Sequence, residues 1–137
     1  MTGASRRHRG RELALRVLFE LEGTHKDAGE SLRYQATDMG VAADMLIFAR
    51  TLVLGCIDHA DSIDSTIAAA SDHWALEDLG KVERAVLRLG TYELIWARDA
   101  PVAVIIDEAV ELAKAYAGED ASAFVNGVLG RVARQHV

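Results

Sequence analysis

Residues 81–116 read KVERAVLRLGTYELIWARDAPVAVIIDEAVELAKAY, and this stretch decides the fold class. Its first part places apolar side chains three and four positions apart, which predicts one face of a helix over about 81–97. Asp99-Ala100-Pro101 then ends that helix and starts the next, because proline lacks only an N–H that a first helical turn leaves unpaired. The following apolar positions repeat the helical spacing: Val102, Ile105, Ile106, Ala109, Leu112, Ala113 and Tyr116. Two successive amphipathic helices are therefore predicted.

The same spacing continues on both sides of this stretch. Downstream, Gly118 is a candidate C-terminal cap and Asp120 a candidate N-cap for a last helix. Upstream, a stripe from Leu13 stops at Gly23-Thr24, residues 26–36 indicate a short helix, and a long helix covers about 41–70. Acidic and serine residues between 58 and 64 favour a kink or split in that long helix. No strand pattern competes, so we expect an all-α chain of about seven helices in two small packed bundles.

We expect a single domain of two helical halves, about 6–72 and 76–136, with a flexible arginine-rich arm over 1–11 and a linker from His73 to Gly80. The chain has 137 residues, half of them hydrophobic, which excludes wholesale disorder. Its single cysteine, Cys56, cannot form an internal disulfide. No apolar run approaches a membrane span, and the basic start leads into no signal-peptide core. We therefore expect a cytoplasmic location.

The charge is divided unevenly along the chain. The first eleven residues contain Arg6, Arg7, Arg9 and Arg11 and no acid, whereas the whole chain carries −6. The remaining residues therefore carry −10, which is the asymmetry expected of a phosphate-contacting tail on an acidic body. A solvated terminus with incidental arginines is the alternative. Residues 107–120, with five acids against Lys114, fit either a basic protein partner or a solvated helix face.

Motifs for catalysis or metal binding are weak. The sequence contains neither a Walker motif nor a G-x-G-x-x-G fingerprint. Cys56 and His59 share a helix face, but both fall on the apolar stripe, which favours core positions over metal ligands. The acidic pair Glu108 and Glu111 lacks the Glu-x-x-His repeats of di-iron bundles. We expect a protein that is not an enzyme and that needs neither a metal nor another cofactor.

Asn126-Gly127 is not explained by helical periodicity. A glycine inside a helix costs about 1 kcal/mol relative to alanine, so close packing or close approach of a ligand should compensate for it. The Asn126 amide offers donors and an acceptor that suit a base edge or a backbone group. Both interpretations, packing and contact, remain open at this point.

Several segments in order resemble the NusB family. They are Val82–Leu89 with Tyr92-Glu93-Leu94, Asp99–Val104, Glu108–Lys114, and Gly118-Glu119-Asp120 followed by Phe124–Leu129. The start Arg7, Arg9, Arg11-Glu12-Leu13-Ala14 also fits the family's arginine-rich N-terminus. The resemblance covers nearly the whole chain and is least diagnostic over residues 24–75. Gly90-Thr91 departs from it, because a good helix former is usual there; either a looser helix or closer packing would result.

The resemblance implies an all-helical transcription antitermination factor. Such a protein would bind the boxA element of nascent ribosomal-RNA leaders together with NusE, a small-subunit ribosomal protein, and join RNA polymerase with NusA and NusG. It implies an RNA-binding surface that joins the N-terminal arginines to residues on the first and last helices. Its members in this chain are Arg6, Arg7, Arg9, Arg11, Phe19, Asp120, Phe124 and Asn126. It also implies Glu83 and Tyr92 as residues on the side facing NusE.

Two other functions are compatible with the sequence. One is the NusB-like RNA-binding domain found at the front of some rRNA cytosine methyltransferases, although 137 residues leave no room for their catalytic domain. The other is a helical scaffold that binds proteins and never RNA. The family includes monomers and homodimers, and the sequence does not decide between them.

Overall fold

The computed structural model describes residues 3–72 and 74–137, so Met1 and Thr2 of the expected arm and His73 of the expected linker lie outside the described residues. Seven α-helices follow one another without a strand in the described residues, which confirms the all-α prediction. They are α1 (Gly3–Leu21), α2 (Ala28–Met39), α3 (Ala43–Asp58), α4 (Ala60–Ala70), α5 (Lys81–Tyr92), α6 (Val102–Ala117) and α7 (Glu119–His136). A 3₁₀ turn (Leu76–Asp78) precedes α5, and a π-helical turn (Glu93–Ala97) extends it.

The chain forms two compact units, residues 1–57 and residues 58–137. The first unit contains α1, α2 and nearly all of α3, and the second contains α4 to α7. These units differ from the two halves expected from the sequence in the assignment of α4. That helix packs with α5 and α7, and Arg88 of α5 makes a two-bonded ion pair with Asp64 of α4, with nitrogen–oxygen distances of 2.9 and 3.2 Å.

The first unit is built on the apolar stripe of α1. Leu13, Ala14 and Val17 are fully buried, and α1 packs along α2. Asp27 caps α2 by accepting the backbone N–H of Glu30, and Gly40 ends the helix in the left-handed conformation that glycine adopts without a Cβ clash. The sequence therefore sets both ends of α2 with local signals.

The basic N-terminal segment is helical from Gly3 onward, in place of the flexible arm expected over residues 1–11. Side-chain contacts account for this difference. Arg9 donates to the carbonyl oxygen of Met39 at the C-terminal end of α2, at 2.8 Å, where a helix favours positive charge. Its guanidinium also pairs with the Glu12 carboxylate one turn further along α1, at 2.6 Å.

The long helix expected over 41–70 is split, as the sequence suggested. The backbone leaves the helical conformation at His59, which acts as the N-cap residue of α4. Cys56, just before the break, is buried, in agreement with its expected core position. His59 is half-buried, and its ring stacks on Trp96 with centroids 4.6 Å apart.

The second unit is assembled around α5, which contacts α4, α6 and α7. A Cβ added to Gly90 would lie 2.7 Å from Cδ1 of Leu129, a fully buried side chain of α7. Of the two interpretations of Gly90-Thr91, the structure therefore supports closer packing. Beyond Gly90 the helix widens into the π-helical turn and ends at Arg98 in a left-handed conformation.

The corner between α6 and α7 contains one residue. Gly118, with φ of 99°, is both the C-cap of α6 and the N-cap of α7, in agreement with the predicted helix end. The prediction that Asp120 caps α7 is wrong, because α7 already begins at Glu119 and Asp120 lies in its first turn. An acidic residue there still favours the positive end of the helix dipole. Within the described residues, no helix combines the length and apolarity that crossing a membrane requires.

Candidate nucleic-acid interface

The arginines at the start of α1 differ in what they contact. Arg6 forms an ion pair with Asp44 of α3, and Arg9 is held by Glu12 and the Met39 carbonyl. Both side chains remain partly exposed. Because an ion pair between exposed side chains contributes little stability, a phosphate could replace Asp44 as the partner of Arg6 at small cost. The Glu12 carboxylate that pairs with Arg9 is more enclosed, with 18% of its side chain exposed.

The other two arginines, Arg7 and Arg11, both contact the ring of Phe48 in α3. The guanidinium of Arg7 lies over the Phe48 ring and is exposed, and that of Arg11 approaches the same ring but is only 2% exposed. Gly10 makes this possible, since a Cβ on it would lie 2.7 Å from the ring. Arg11 therefore presents no guanidinium to solvent. Its predicted RNA contact does not fit this structure, in which it packs inside the first unit.

Phe19 lies further along α1 and is 40% exposed, as a stacking ring would have to be. The next residue, Glu20, is fixed in place. Its carboxylate accepts hydrogen bonds from Ser31 Oγ at 2.7 Å and Gln35 Nε2 at 3.0 Å. The bond from Ser31 is the largest cause of a pKa below the usual glutamate value; burial opposes it, and Gln35 and nearby Lys26 support it. Glu20 thus ties α1 to α2 beside the exposed ring.

In the second unit, Phe124 of α7 is half-buried and meets Trp74 edge to face. Their ring centroids lie 6.4 Å apart at an interplanar angle of 78°. The two rings separate two surface clefts. The one we call the arginine cleft has a volume of about 340 Å³ and is bounded by Asp72, Gly127 and Arg131 as well as the rings.

The other, which we call the acidic cleft, has a volume of about 330 Å³. It brings together three predicted site residues, Asp120, Phe124 and Glu83, and adds Asp78. The Glu83 carboxylate folds back over Gly80 in the first turn of α5, at the position from which a glutamate reaches back to a helix start. A Cβ on Gly80 would displace this carboxylate.

Asn126 and Gly127 lie on the exposed side of α7. Among the described residues, no atom outside its own stretch of helix lies within 4 Å of the position that a Gly127 Cβ would occupy. Of the two interpretations of this glycine, close packing finds no support among the described residues. Tyr92, the other predicted partner-facing residue, is half-buried; its ring stacks on that of Trp96 and lies tilted against that of His59.

The structure thus places the predicted arginines and Phe19 on the first unit, with Arg11 buried there. It places Asp120, Phe124, Asn126, Glu83 and Tyr92 on the second unit. Sequence reasoning missed Phe48, which sits on an apolar stripe and looked like ordinary core. It also missed Trp74, which lies in a stretch that was interpreted as a linker. A large aromatic residue in a polar inter-helix segment was the available signal for Trp74.

Residues 8–134 match the model of the NusB family. The transcription antitermination protein NusB of Geobacillus kaustophilus is 42% identical over 127 residues, covering 93% of this chain and 95% of that protein. NusB of Heliobacterium modesticaldum is 37% identical over 129 residues, which are 94% of this chain but 63% of that longer protein.

Solved structures agree with this match. A crystal structure of antitermination factors NusB and NusE in complex with dsRNA has a TM-score of 0.87 at 31% identity, covering 99% of this chain and all of the matched chain. A crystal structure of a plectonemic RNA supercoil contains a chain with a TM-score of 0.89 at 30% identity, covering 98% of this chain and 96% of that one. The chain described here belongs to the NusB family.

Proposed function

We propose that this chain is an RNA-binding transcription antitermination factor that recognises boxA RNA of nascent rRNA leaders together with NusE. The observation that carries the proposal is the near full-length match to a NusB chain in a complex with NusE and dsRNA. In this role the protein acts by binding rather than by catalysis. It supports processive rRNA transcription in the cytoplasm, within an RNA polymerase complex that also contains NusA and NusG.

The proposed RNA surface of the first unit consists of Arg6, Arg7, Arg9 and Phe19. Arg7 is exposed and supplies positive charge for a phosphate contact, and Arg6 exchanges the surface carboxylate of Asp44 for one. Arg9, which is partly exposed, adds a third positive charge beside them. An exposed phenylalanine ring supplies a stacking surface for an unpaired base. We leave Arg11 out of this surface because it is buried.

On the second unit, Asp120, Phe124 and Asn126 form the proposed RNA side, and Glu83 and Tyr92 the proposed NusE side. Carboxylate and amide groups accept from or donate to the edges of splayed bases, and the Phe124 ring stacks on them. The acidic body repels phosphate, so a partner that brings positive charge would both recruit and orient the RNA. The carboxylates of Asp78 and Glu83 in the acidic cleft suit such a basic partner.

Binding to boxA RNA and to a scrambled RNA, with and without NusE and across a salt series, tests the proposal. We expect specific binding that NusE tightens, with a log–log salt slope of about −2 from about three phosphate contacts. Replacing Arg6, Arg7 and Arg9 by alanine should weaken binding. The matched control replaces Arg33, Arg50 and Arg134, three exposed arginines elsewhere, and should bind nearly as the native protein does.

The alternatives give other results in the same assay. A protein-binding scaffold would bind NusE but neither RNA at any salt concentration. Weak binding to boxA and scrambled RNA alike, even with NusE, would contradict the antitermination role. Homodimerisation that covers the arginines until NusE binds would appear as RNA affinity that falls with rising protein concentration.

A further inference from the structure

Among the described residues of the second unit, Trp74 is the largest exposed apolar side chain. It is 56% exposed and lies between α4 and the 3₁₀ turn. Its backbone N–H donates to the Ser71 carbonyl oxygen at 3.2 Å, and Asp72 between them adopts a left-handed conformation with φ of 54°. The edge-to-face contact with Phe124 orients the indole while more than half of the side chain stays exposed to solvent.

The surface beside the Trp74 ring includes a helix position that has no side chain. Gly127, in the middle of α7, lines the arginine cleft, and among the described residues no atom outside its own stretch of helix lies within 4 Å of the place where its Cβ would be. Glycine in a helix interior is unfavourable, and no described side chain of this unit packs where the Gly127 Cβ would be. A flat ligand that stacks on the Trp74 ring could occupy the space above Gly127, whereas a larger residue at position 127 would fill that space.

Charge distinguishes this cleft from its neighbour. Arg131 is held at its edge by Asp72 at 2.6 Å and by the Ala70 carbonyl oxygen at 2.9 Å. The described residues that line the arginine cleft therefore balance one positive against one negative charge. The acidic cleft carries Asp78, Glu83 and Asp120 and no basic residue among its described lining residues. A polyanion enters the arginine cleft at lower electrostatic cost.

We propose that the arginine cleft is a nucleobase-binding site, in which one unpaired base of the bound RNA stacks on Trp74 above Gly127 while Arg131 faces the adjoining phosphate. This inference rests on the proposed RNA-binding function and extends it to a residue and a cleft outside the predicted RNA surface. Phe124 connects the two, since it belongs to that surface and forms a wall of the cleft. A base inside a duplex cannot reach the ring, so the site is specific for unpaired RNA.

The chain contains two tryptophans, so its fluorescence can report on this site. A Trp96→Phe protein retains only Trp74. We expect boxA RNA to quench its emission as the RNA binds, with binding followed separately by the anisotropy of labelled RNA. Trp74→Phe should lose the RNA-dependent quenching but keep most of the affinity, whereas Trp74→Ala should weaken binding roughly tenfold. The same RNA annealed to its complement should leave Trp74 emission unchanged.

A steric variant tests the cleft without removing the ring. Gly127→Leu fills the open space and should abolish the quenching and weaken RNA binding as much as Trp74→Ala does. Ala115→Leu, at an exposed position of α6 outside the described lining of both clefts, is the matched control and should behave as the native protein.

The outcomes separate this proposal from the proposed function. RNA binding by anisotropy with no quenching of Trp74 would overturn the nucleobase site and leave the RNA-binding function intact. Quenching by NusE alone, and not by RNA, would assign the cleft to the protein partner and overturn the proposal as well. Absence of RNA binding by the native protein, with and without NusE, would remove both.

Discussion

The guanidinium carbon of Arg7 lies 5.2 Å from the centre of the Phe48 ring, and that of Arg11 lies 5.5 Å from the same centre. One ring of α3 thus holds an exposed and a buried arginine of α1. The attraction between a cation and an aromatic face fixes the exposed guanidinium before RNA arrives, which lowers the entropy lost on binding.

Phe48→Leu should therefore reduce RNA affinity although Phe48 itself touches no RNA. The cation–ring attraction at an exposed site is worth about 0.5–1 kcal/mol, so we expect a loss of about two- to fivefold. The salt slope should become shallower by up to about 0.7, the share of one phosphate contact on a single strand. Phe48→Tyr keeps the ring and should restore both quantities. Native slope and affinity in Phe48→Leu would mean that the ring only packs the helices.

Two glycine substitutions on neighbouring helices should change stability in opposite directions. Gly90→Ala places a methyl group 2.7 Å from the buried Leu129 side chain, and we expect a net loss of about 1 kcal/mol after the gain in helix propensity. Gly127→Ala meets open space and should stabilise the protein by about 1 kcal/mol. Urea unfolding of the two variants measures both changes. Equal effects of the same sign would contradict the packing described around Gly90.

The Ser31–Glu20 hydrogen bond should make the stability of the first unit depend on pH. The folded-state pKa of Glu20 is lowered, so the contribution is complete above the unfolded glutamate pKa and is lost as pH falls through the folded value. Ser31→Ala should cost about 1 kcal/mol at pH 7 and less near pH 3. The comparison uses urea unfolding at both pH values. Ser65→Ala, at an exposed site of α4, should change little at either pH.

The position of the Glu83 carboxylate can be changed without changing its charge. Gly80→Ala forces this carboxylate away from the first turn of α5. If Glu83 faces NusE as proposed, Gly80→Ala and Glu83→Gln should both weaken NusE binding, on the order of tenfold. Calorimetric titration with NusE measures this. Glu77→Gln removes an exposed carboxylate outside the described lining of the acidic cleft and serves as the control. Unchanged NusE binding by Gly80→Ala would argue against a contact between NusE and the Glu83 carboxylate in its present position.

Local signals in the sequence predicted most of the fold. Gly118 and Pro101 marked the ends of the C-terminal helices, and the acidic cluster after Asp58 marked the break before α4. The helical conformation of the basic N-terminal segment was not predictable in this way. This conformation depends on contacts of its arginines with Met39, Asp44 and Phe48. These three residues are distant in sequence, and no local sequence pattern indicates that they contact arginine.

The candidate site was predictable to the extent that it follows the NusB family pattern. Phe19 and Phe124 were named from that pattern, but whether a ring is exposed depends on tertiary packing. For Arg11 the residue type was misleading: an arginine suggests phosphate binding, but this side chain is buried in the first unit. The Trp74 and Phe124 rings are in contact although fifty residues separate them in sequence. Hydrophobic periodicity cannot predict such a contact, which follows the left-handed turn of the chain at Asp72.

The close approach of α7 to Gly90 also affects when the second unit can fold during synthesis. Leu129 and its buried neighbours Val125 and Val132 complete the core against α5, and they belong to the last helix of the unit to leave the ribosome. Until then α5 and α6 expose apolar faces that a nascent chain must keep from aggregating. The one-residue corner at Gly118 shortens that interval, because α7 is delivered directly beside α6 and their mutual contacts are local in sequence.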